Sequence, residues 1–184
     1  MKAGAGEVVL SAMKAYQSHA GVAERGCGAL TALAVNTDNK VTLMKAGADE
    51  VVLSAMKAHH SHAGVVESGC GALGNLAVNA DNRVTLMKAG AGEVVLRAMK
   101  AHQSHAGVAE SGCGALLILA VAMKAHQSNA GVAEYGCEAL KNLARNADNK
   151  VTLVKAGARE VLLSAMKAHA GIVDRVAGRW GALL

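Results

Sequence analysis

The feature that most constrains this chain is a period of 43 residues in its sequence. Segments reading Ala-Met-Lys-Ala recur at this step, and single cysteines and glycines follow it too. Self-similarity at such a period is typical of stacked supersecondary units that bury their apolar faces against one another. The positions that show the step are Met13, Met56 and Met99, Cys27, Cys70 and Cys113, and Gly4, Gly47 and Gly90.

The period is interrupted once. From Met99 to Met123 the step is 24 residues, and from Met123 to Met166 it is 43 again. We interpret this as a deletion of 19 residues in the third unit, near Val121. Because neither Gly nor Pro lies at the junction, we expect the flanking segments to fuse into one long helix from about 108 to 127.

Composition favours an all-α fold with a core of small side chains. The chain of 184 residues is 52% hydrophobic, mainly Ala, Val, Leu and Met, with no Phe, no Pro and a single Trp. The longest apolar run, 115–123, is far shorter than the ~20 residues that a membrane-spanning helix needs. The formal charge of +5 is spread along the chain, and aromatic stacking platforms are scarce, which argues against nucleic-acid binding. With four cysteines and no signal segment, a cytoplasmic location is expected, with a nuclear one as the alternative.

A complete unit, residues 79–121, is predicted to contain three helices. Asp81-Asn82 can cap a short first helix, which Gly90 ends. Apolar residues recur at helical spacing in the second and third helices, and their broad stripe can be buried only by stacking on neighbouring units. The predicted helices are 83–89, 92–102 and a third that opens at Ser104 or His105.

Three segments of the chain, which follow one another between residues 69 and 91, resemble the armadillo repeat: Gly69-Cys-Gly-Ala-Leu-Gly-Asn-Leu-Ala-Val-Asn79, Asp81-Asn-Arg, and Met87-Lys-Ala-Gly-Ala91. The resemblance extends from Met1 to about Arg175. It implies a right-handed α-solenoid of three-helix repeats, and we expect residues 1–184 to form a single domain of about four units, incomplete at both ends. The competing HEAT repeat usually has two helices and lacks the Asn-Leu-Ala and Ala-Gly signatures.

The resemblance also implies where a partner binds. In armadillo proteins the third helices line a concave groove, in which an Asn at the position of Asn75 and Asn142 typically holds the backbone of an extended peptide. The Trp that accompanies this Asn in recognition of basic import signals is replaced here, for example by Gly71, which argues against that specificity. Residues that differ between units along the third helix are candidates for selectivity, although neutral drift after duplication explains the same variation. The candidate binding residues are Arg25, Ser68, Asn75, Ser111, Ile118, Tyr135, Glu138, Asn142 and Arg145.

The recurring histidines and cysteines do not indicate a catalytic or metal-binding site. Histidines at the turn before the third helix are interpreted as exposed helix-end residues favoured there by the helix dipole. Cysteines on the apolar stripe are interpreted as small core residues, with no activating base nearby in the sequence. We therefore expect no catalytic residue, no metal and no cofactor. The histidines are His59, His60, His62, His102, His105 and His126.

Two functions remain open. The first is a non-enzymatic scaffold that binds a protein or an extended peptide along the third-helix face. The second is a truncated, fragmentary or engineered array that has no dedicated ligand and self-associates, as a homodimer for example, through uncapped ends and the fused helix. The sequence supports the second because Met1 aligns with the end of a first helix and the last unit degenerates near Trp180.

Overall fold

The computed structural model describes residues 4–102 and 104–125, with the backbone alone for Cys113 and for residues 117–125. Its internal packing divides the chain into two compact units, Met1–Ala115 and Leu116–Leu184. The described part of the second unit is the end of one helix. The prediction of a single domain over residues 1–184 stays a prediction.

The described residues form helices and turns, without a strand, as the composition predicted. None of the helices among these residues is long and apolar enough to cross a membrane. In chain order the helices are α1 (Ala5–Ala15), α2 (Ala20–Leu33), α3 (Thr37–Lys45), α4 (Ala48–Ala58), α5 (Ala63–Ala77), α6 (Ala80–Lys88), α7 (Ala91–Ala101) and α8 (Ala106–Ala125).

The first helix of each unit begins earlier than the sequence predicted. Asp81-Asn82 were expected to cap it, but the cap of α6 is Asn79, whose side chain accepts a hydrogen bond from the backbone N–H of Asn82. The equivalent Asn36 caps α3 in the same way. Asn79 is favoured because its extended backbone aims the amide oxygen at the first turn, while Asp81 lies inside that turn and places a negative charge near its positive end.

Glycine separates the first helix from the second, as predicted for Gly90. Both Gly47 and Gly90 have positive φ, 84° and 80°, a conformation that residues with a Cβ rarely adopt. Each also serves as the N-cap residue of the following helix, α4 or α7. The chain can therefore reverse direction with almost no linker.

The second and third helices of a unit pack closely because methionine lies on glycine. A Cβ added to Gly69 on α5 would lie 2.5 Å from Cγ of Met56 on α4, and Gly112 has the same relation to Met99. Met56 is fully buried in this contact. Because these glycines have no side chain, the second and third helices of a unit can approach closely, as a core of small residues requires.

Equivalent helices of successive units also pack side by side. The most extensive contact is between α2 and α5, and α1 contacts α4, α4 contacts α7, and α3 contacts α6. Leu30, Leu73, Cys27 and Cys70 are completely buried between these layers, which agrees with the core role predicted for both cysteines.

At the proposed junction, α8 runs without a break from Ala106 to Ala125. The helix begins at Ala106, where the third helix was predicted to open, and His105 caps it. The 19-residue deletion and the right-handed superhelix remain predictions.

Candidate partner-binding surface

The candidate surface is the stripe of variable residues along the third helices, and these residues differ in exposure. On α2, Arg25 is exposed, whereas Ser68 and Asn75 on α5 and Ser111 on α8 are half-buried. The side chain of Ile118 and the residues Tyr135, Glu138, Asn142 and Arg145 lie outside the described part of the chain. The structure therefore describes four of the nine candidate residues.

Asn75 is hydrogen-bonded to the neighbouring unit. Its Nδ2 donates a hydrogen bond of 2.9 Å to the carbonyl oxygen of Thr31, which lies on α2. This bond uses one of the two amide hydrogens of the side chain, and no other bond of Asn75 occurs within the described residues. Asn75 thus joins two stacked helices, and its remaining amide groups are left at the edge of the stripe.

Thr31 forms the other half of this connection, a role the sequence did not reveal. Its hydroxyl lies 2.9 Å from the carbonyl oxygen of Cys27 and 3.2 Å from that of Ser68 on α5. Gly71 makes room for it, since a Cβ there would lie 3.3 Å from the Thr31 side chain. Together Thr31 and Asn75 fix the register of α2 against α5.

Two exposed valines extend the stripe towards the ends of the helices. Val35 and Val78 occupy equivalent positions after α2 and α5 and are 71% and 52% exposed. Their carbonyl oxygens are held by basic side chains of the next helix: Lys40 Nζ donates to Val35 at 2.9 Å, and Arg83 Nη2 donates to Val78 at 3.2 Å. Cations at a helix C-terminus are favourable there. Sequence variation marked this position only in the last unit, at Arg145, so the valines were not among the candidate residues.

The turn histidines connect successive units in two ways. The Nε2 atoms of His59 and His102, which follow the second helices, lie 2.8 Å from the carbonyl oxygens of Gln17 and His60. For these two, the predicted position at the C-terminal end of a helix is confirmed.

For His62 and His105 the dipole explanation is wrong, because they lie at the N-termini of α5 and α8. In each, Nδ1 accepts a hydrogen bond from the backbone N–H three residues later, at 3.4 Å and 3.3 Å. A neutral imidazole can accept this bond, whereas positive charge is unfavourable at this end of a helix. The same Nδ1 atoms lie 3.9 Å and 3.8 Å from a carboxylate oxygen of Glu24 and Glu67, respectively, on the preceding third helix.

Cys27 is packed as a core residue. Its side chain is completely buried, and this burial raises the pKa of the thiol to about 12. A thiol that stays protonated is a poor nucleophile and a poor metal ligand. Among residues 4–102 and 104–125, no cluster of three or more His, Cys, Asp or Glu side chains is arranged to hold a metal ion.

Comparison with known proteins gives one family. The family model described as LRRK2 ARM repeat matches residues 5–120, which cover α1 to α7 and most of α8. No curated protein and no solved structure gives a significant match.

Proposed function

The chain belongs to the armadillo-repeat family, here the LRRK2 ARM repeat, and from this premise we propose that it is a non-enzymatic scaffold that binds a protein or an extended peptide. The proposed binding surface runs along the third helices α2, α5 and α8, in a right-handed solenoid whose third unit carries the deletion. By sequence, Asn142 is the equivalent of Asn75 in a later unit, and it stays a candidate for the same kind of contact.

One observation carries this proposal: α2 and α5 lie side by side and expose matching rows of residues. Along α2 the row is Arg25, Ala32 and Val35, and along α5 it is Ser68, Asn75 and Val78. Each row combines a polar residue at one end with a largely exposed valine at the other. A surface that repeats from helix to helix suits a partner that also repeats, such as an extended backbone.

The chemistry of the row suggests how such a peptide would be held. The Asn75 side chain can still accept one hydrogen bond and donate another, which are the two bonds that a peptide backbone unit offers. The exposed valines would contact apolar side chains, and removing their surface from water would contribute about 25 cal/mol per Å². Arg25 would favour an acidic residue near the opposite edge.

We would test this by screening extended peptides for binding and measuring the dissociation constant of the best one for three variants. Asn75→Ala and Val78→Ser should each weaken binding about tenfold, which corresponds to about 1.4 kcal/mol. Thr31→Val is the matched control, because it removes a hydrogen bond from the same α2–α5 contact but leaves the Asn75 amide and Val78 in place.

The control separates binding from helix packing. An equal loss of affinity in Thr31→Val would mean that the variants act by loosening the contact between α2 and α5. Binding that is unchanged in both Asn75→Ala and Val78→Ser would rule out the third-helix surface as the binding site.

A further inference from the structure

Arg83 on α6 holds its guanidinium group against the C-terminal end of α5. Its Nε donates a hydrogen bond of 3.0 Å to the carbonyl oxygen of Ala77, and its Nη2 donates one of 3.2 Å to that of Val78. The bond at Nε is partly buried, whereas the bond at Nη2 is exposed. The guanidinium is therefore fixed by the backbone of α5, and its tip lies at the protein surface.

These bonds leave one edge of the guanidinium group of Arg83 without an acceptor. Nε and Nη2 form the edge that the two carbonyl oxygens occupy. The edge between Nη1 and Nη2 has parallel N–H groups, which match the two oxygens of a carboxylate. No carboxylate among the described residues forms an ion pair with Arg83, whereas Arg97 on α7 is paired with Glu93 at 2.8 Å.

Other units carry a lysine at the position of Arg83. Lys40 occupies it in an earlier unit and Lys150 in a later one. Lys40 is only 6% exposed, and its Nζ donates a hydrogen bond of 2.9 Å to the carbonyl oxygen of Val35. A lysine is therefore sufficient to hold the end of a third helix, but its buried ammonium group does not face a partner. The exposed edge of the guanidinium is what arginine adds at this position.

The tip of Arg83 lies beside an apolar part of the third-helix stripe. Val78, whose carbonyl oxygen Arg83 holds, is 52% exposed. Asn75, which we propose as the contact for a peptide backbone, lies about one helical turn before Val78, a distance of roughly 5 Å along the axis. A peptide whose backbone lies on Asn75 thus reaches Val78 and Arg83 with its side chains.

We propose that Arg83 selects peptides that carry an aspartate or a glutamate next to an apolar residue. This inference rests on the proposed function and adds to it the chemistry of the peptide. The apolar side chain contacts Val78, and the carboxylate binds the free edge of the guanidinium. Charge complementarity supports this occupant, because no described carboxylate neutralises Arg83. A guanidinium that the backbone already holds also loses little rotamer freedom on binding.

The test uses matched pairs of fluorescein-labelled peptides that differ only in a Glu or a Gln next to a central leucine. Both termini are blocked and no other acidic residue is present, so that the Glu side chain is the only carboxylate. Dissociation constants are measured by fluorescence polarisation. The wild type should bind the Glu peptide about fivefold more tightly than the Gln peptide, and less selectively at high salt.

Two substitutions of Arg83 separate recognition from helix packing. Arg83→Gln should remove the preference for Glu and leave the affinity for the Gln peptide unchanged. Arg83→Lys should preserve the fold, since Lys40 holds the equivalent helix end, but should keep only part of the preference. Arg97→Gln is the matched control for net charge, because it removes an equal charge from a guanidinium that is already paired, and it should leave the preference unchanged.

Several outcomes would overturn the proposal while peptide binding itself persists. One is a wild type that binds the Glu and Gln peptides equally. Another is an Arg83→Gln variant that binds both peptides more weakly to the same extent, which would make Arg83 a structural residue only. An undiminished preference in Arg83→Lys, or a loss of preference in Arg97→Gln, would also reject recognition by the guanidinium edge. If no peptide of either kind bound, the proposed function would fail and this inference with it.

Discussion

Asn82 donates hydrogen bonds of 3.1 Å to the carbonyl oxygens of both Lys40 and Leu76, and the first of these joins short helices that are 42 residues apart in the chain. Asn82 is buried, so both bonds form where water cannot replace them. A single amide thereby connects α6 to α3 of the preceding unit and to the end of α5. Buried connections of this kind hold stacked units in register, since apolar contacts alone are not directional.

Replacing Asn82 should therefore cost more stability than replacing its equivalent, Asn39. Asn39 makes one such bond, to Leu33, and its buried Oδ1 has no partner within the described structure. We expect Asn82→Ala to lower the free energy of unfolding by about 2–3 kcal/mol, and Asn39→Ala by about 1 kcal/mol. Urea denaturation of the two variants measures the difference, and equal losses would show that the bond to Lys40 contributes nothing.

Two helical glycines should respond in opposite directions to alanine. A Cβ at Gly69 would lie 2.5 Å from the buried Met56, which has little room to move, so Gly69→Ala should be destabilising by about 1–3 kcal/mol. Gly114 on α8 is exposed and has nothing within 4 Å, so Gly114→Ala should stabilise the protein by up to about 1 kcal/mol through helix propensity. Thermal unfolding followed by circular dichroism tests both, and a stabilising Gly69→Ala would refute the close contact with Met56.

The raised pKa of Cys27 predicts a loss of stability in alkaline solution. The pKa is about 12 in the folded protein and 9.0 as the ordinary value, so the unfolded chain loses its thiol proton first. Stability from this group is therefore complete below about pH 9 and falls by up to about 1.4 kcal/mol per pH unit between pH 9 and 12. The urea midpoints of the wild type and Cys27→Ala should differ at neutral pH and approach each other as the pH rises above 9. A difference that stays constant with pH would contradict the prediction.

The histidine cap of α5 should be weaker than an asparagine cap. The distance of 3.4 Å between His62 Nδ1 and the Val65 nitrogen exceeds the usual range for a strong bond, so His62→Ala should cost only about 0.5 kcal/mol. His62→Asn should equal or exceed the wild type in stability, because Asn is a preferred N-cap residue. If Asn and Ala at this position lowered the unfolding free energy equally, the capping role of His62 would be excluded.

Much of the local structure could be predicted from the sequence, with characteristic errors at helix ends. The turn at Gly90, the start of a third helix after His105 and the burial of Cys27 follow from glycine, capping and apolar patterns. The cap of α6 was missed because Asn79 and Asp81 are both good capping residues, and only the backbone geometry distinguishes them. For the candidate surface, helical spacing did not distinguish the exposed Arg25 from the half-buried Asn75. The link from Asn75 to Thr31 could not be predicted either, since no local pattern pairs residues 44 positions apart.

By itself, the sequence determined that this chain forms helices, where most of them begin and end, and that its units resemble one another. These properties depend on side chains within a few residues of each other, through propensity, capping and spacing. Only the tertiary structure decided which of two identical side chains lies in the core. Val9 and Val52 have the same neighbours in sequence, but Val52 is buried because another helix pair covers it, and Val9 lines an open groove. Burial depends on what stacks above a residue, which its own helix does not specify.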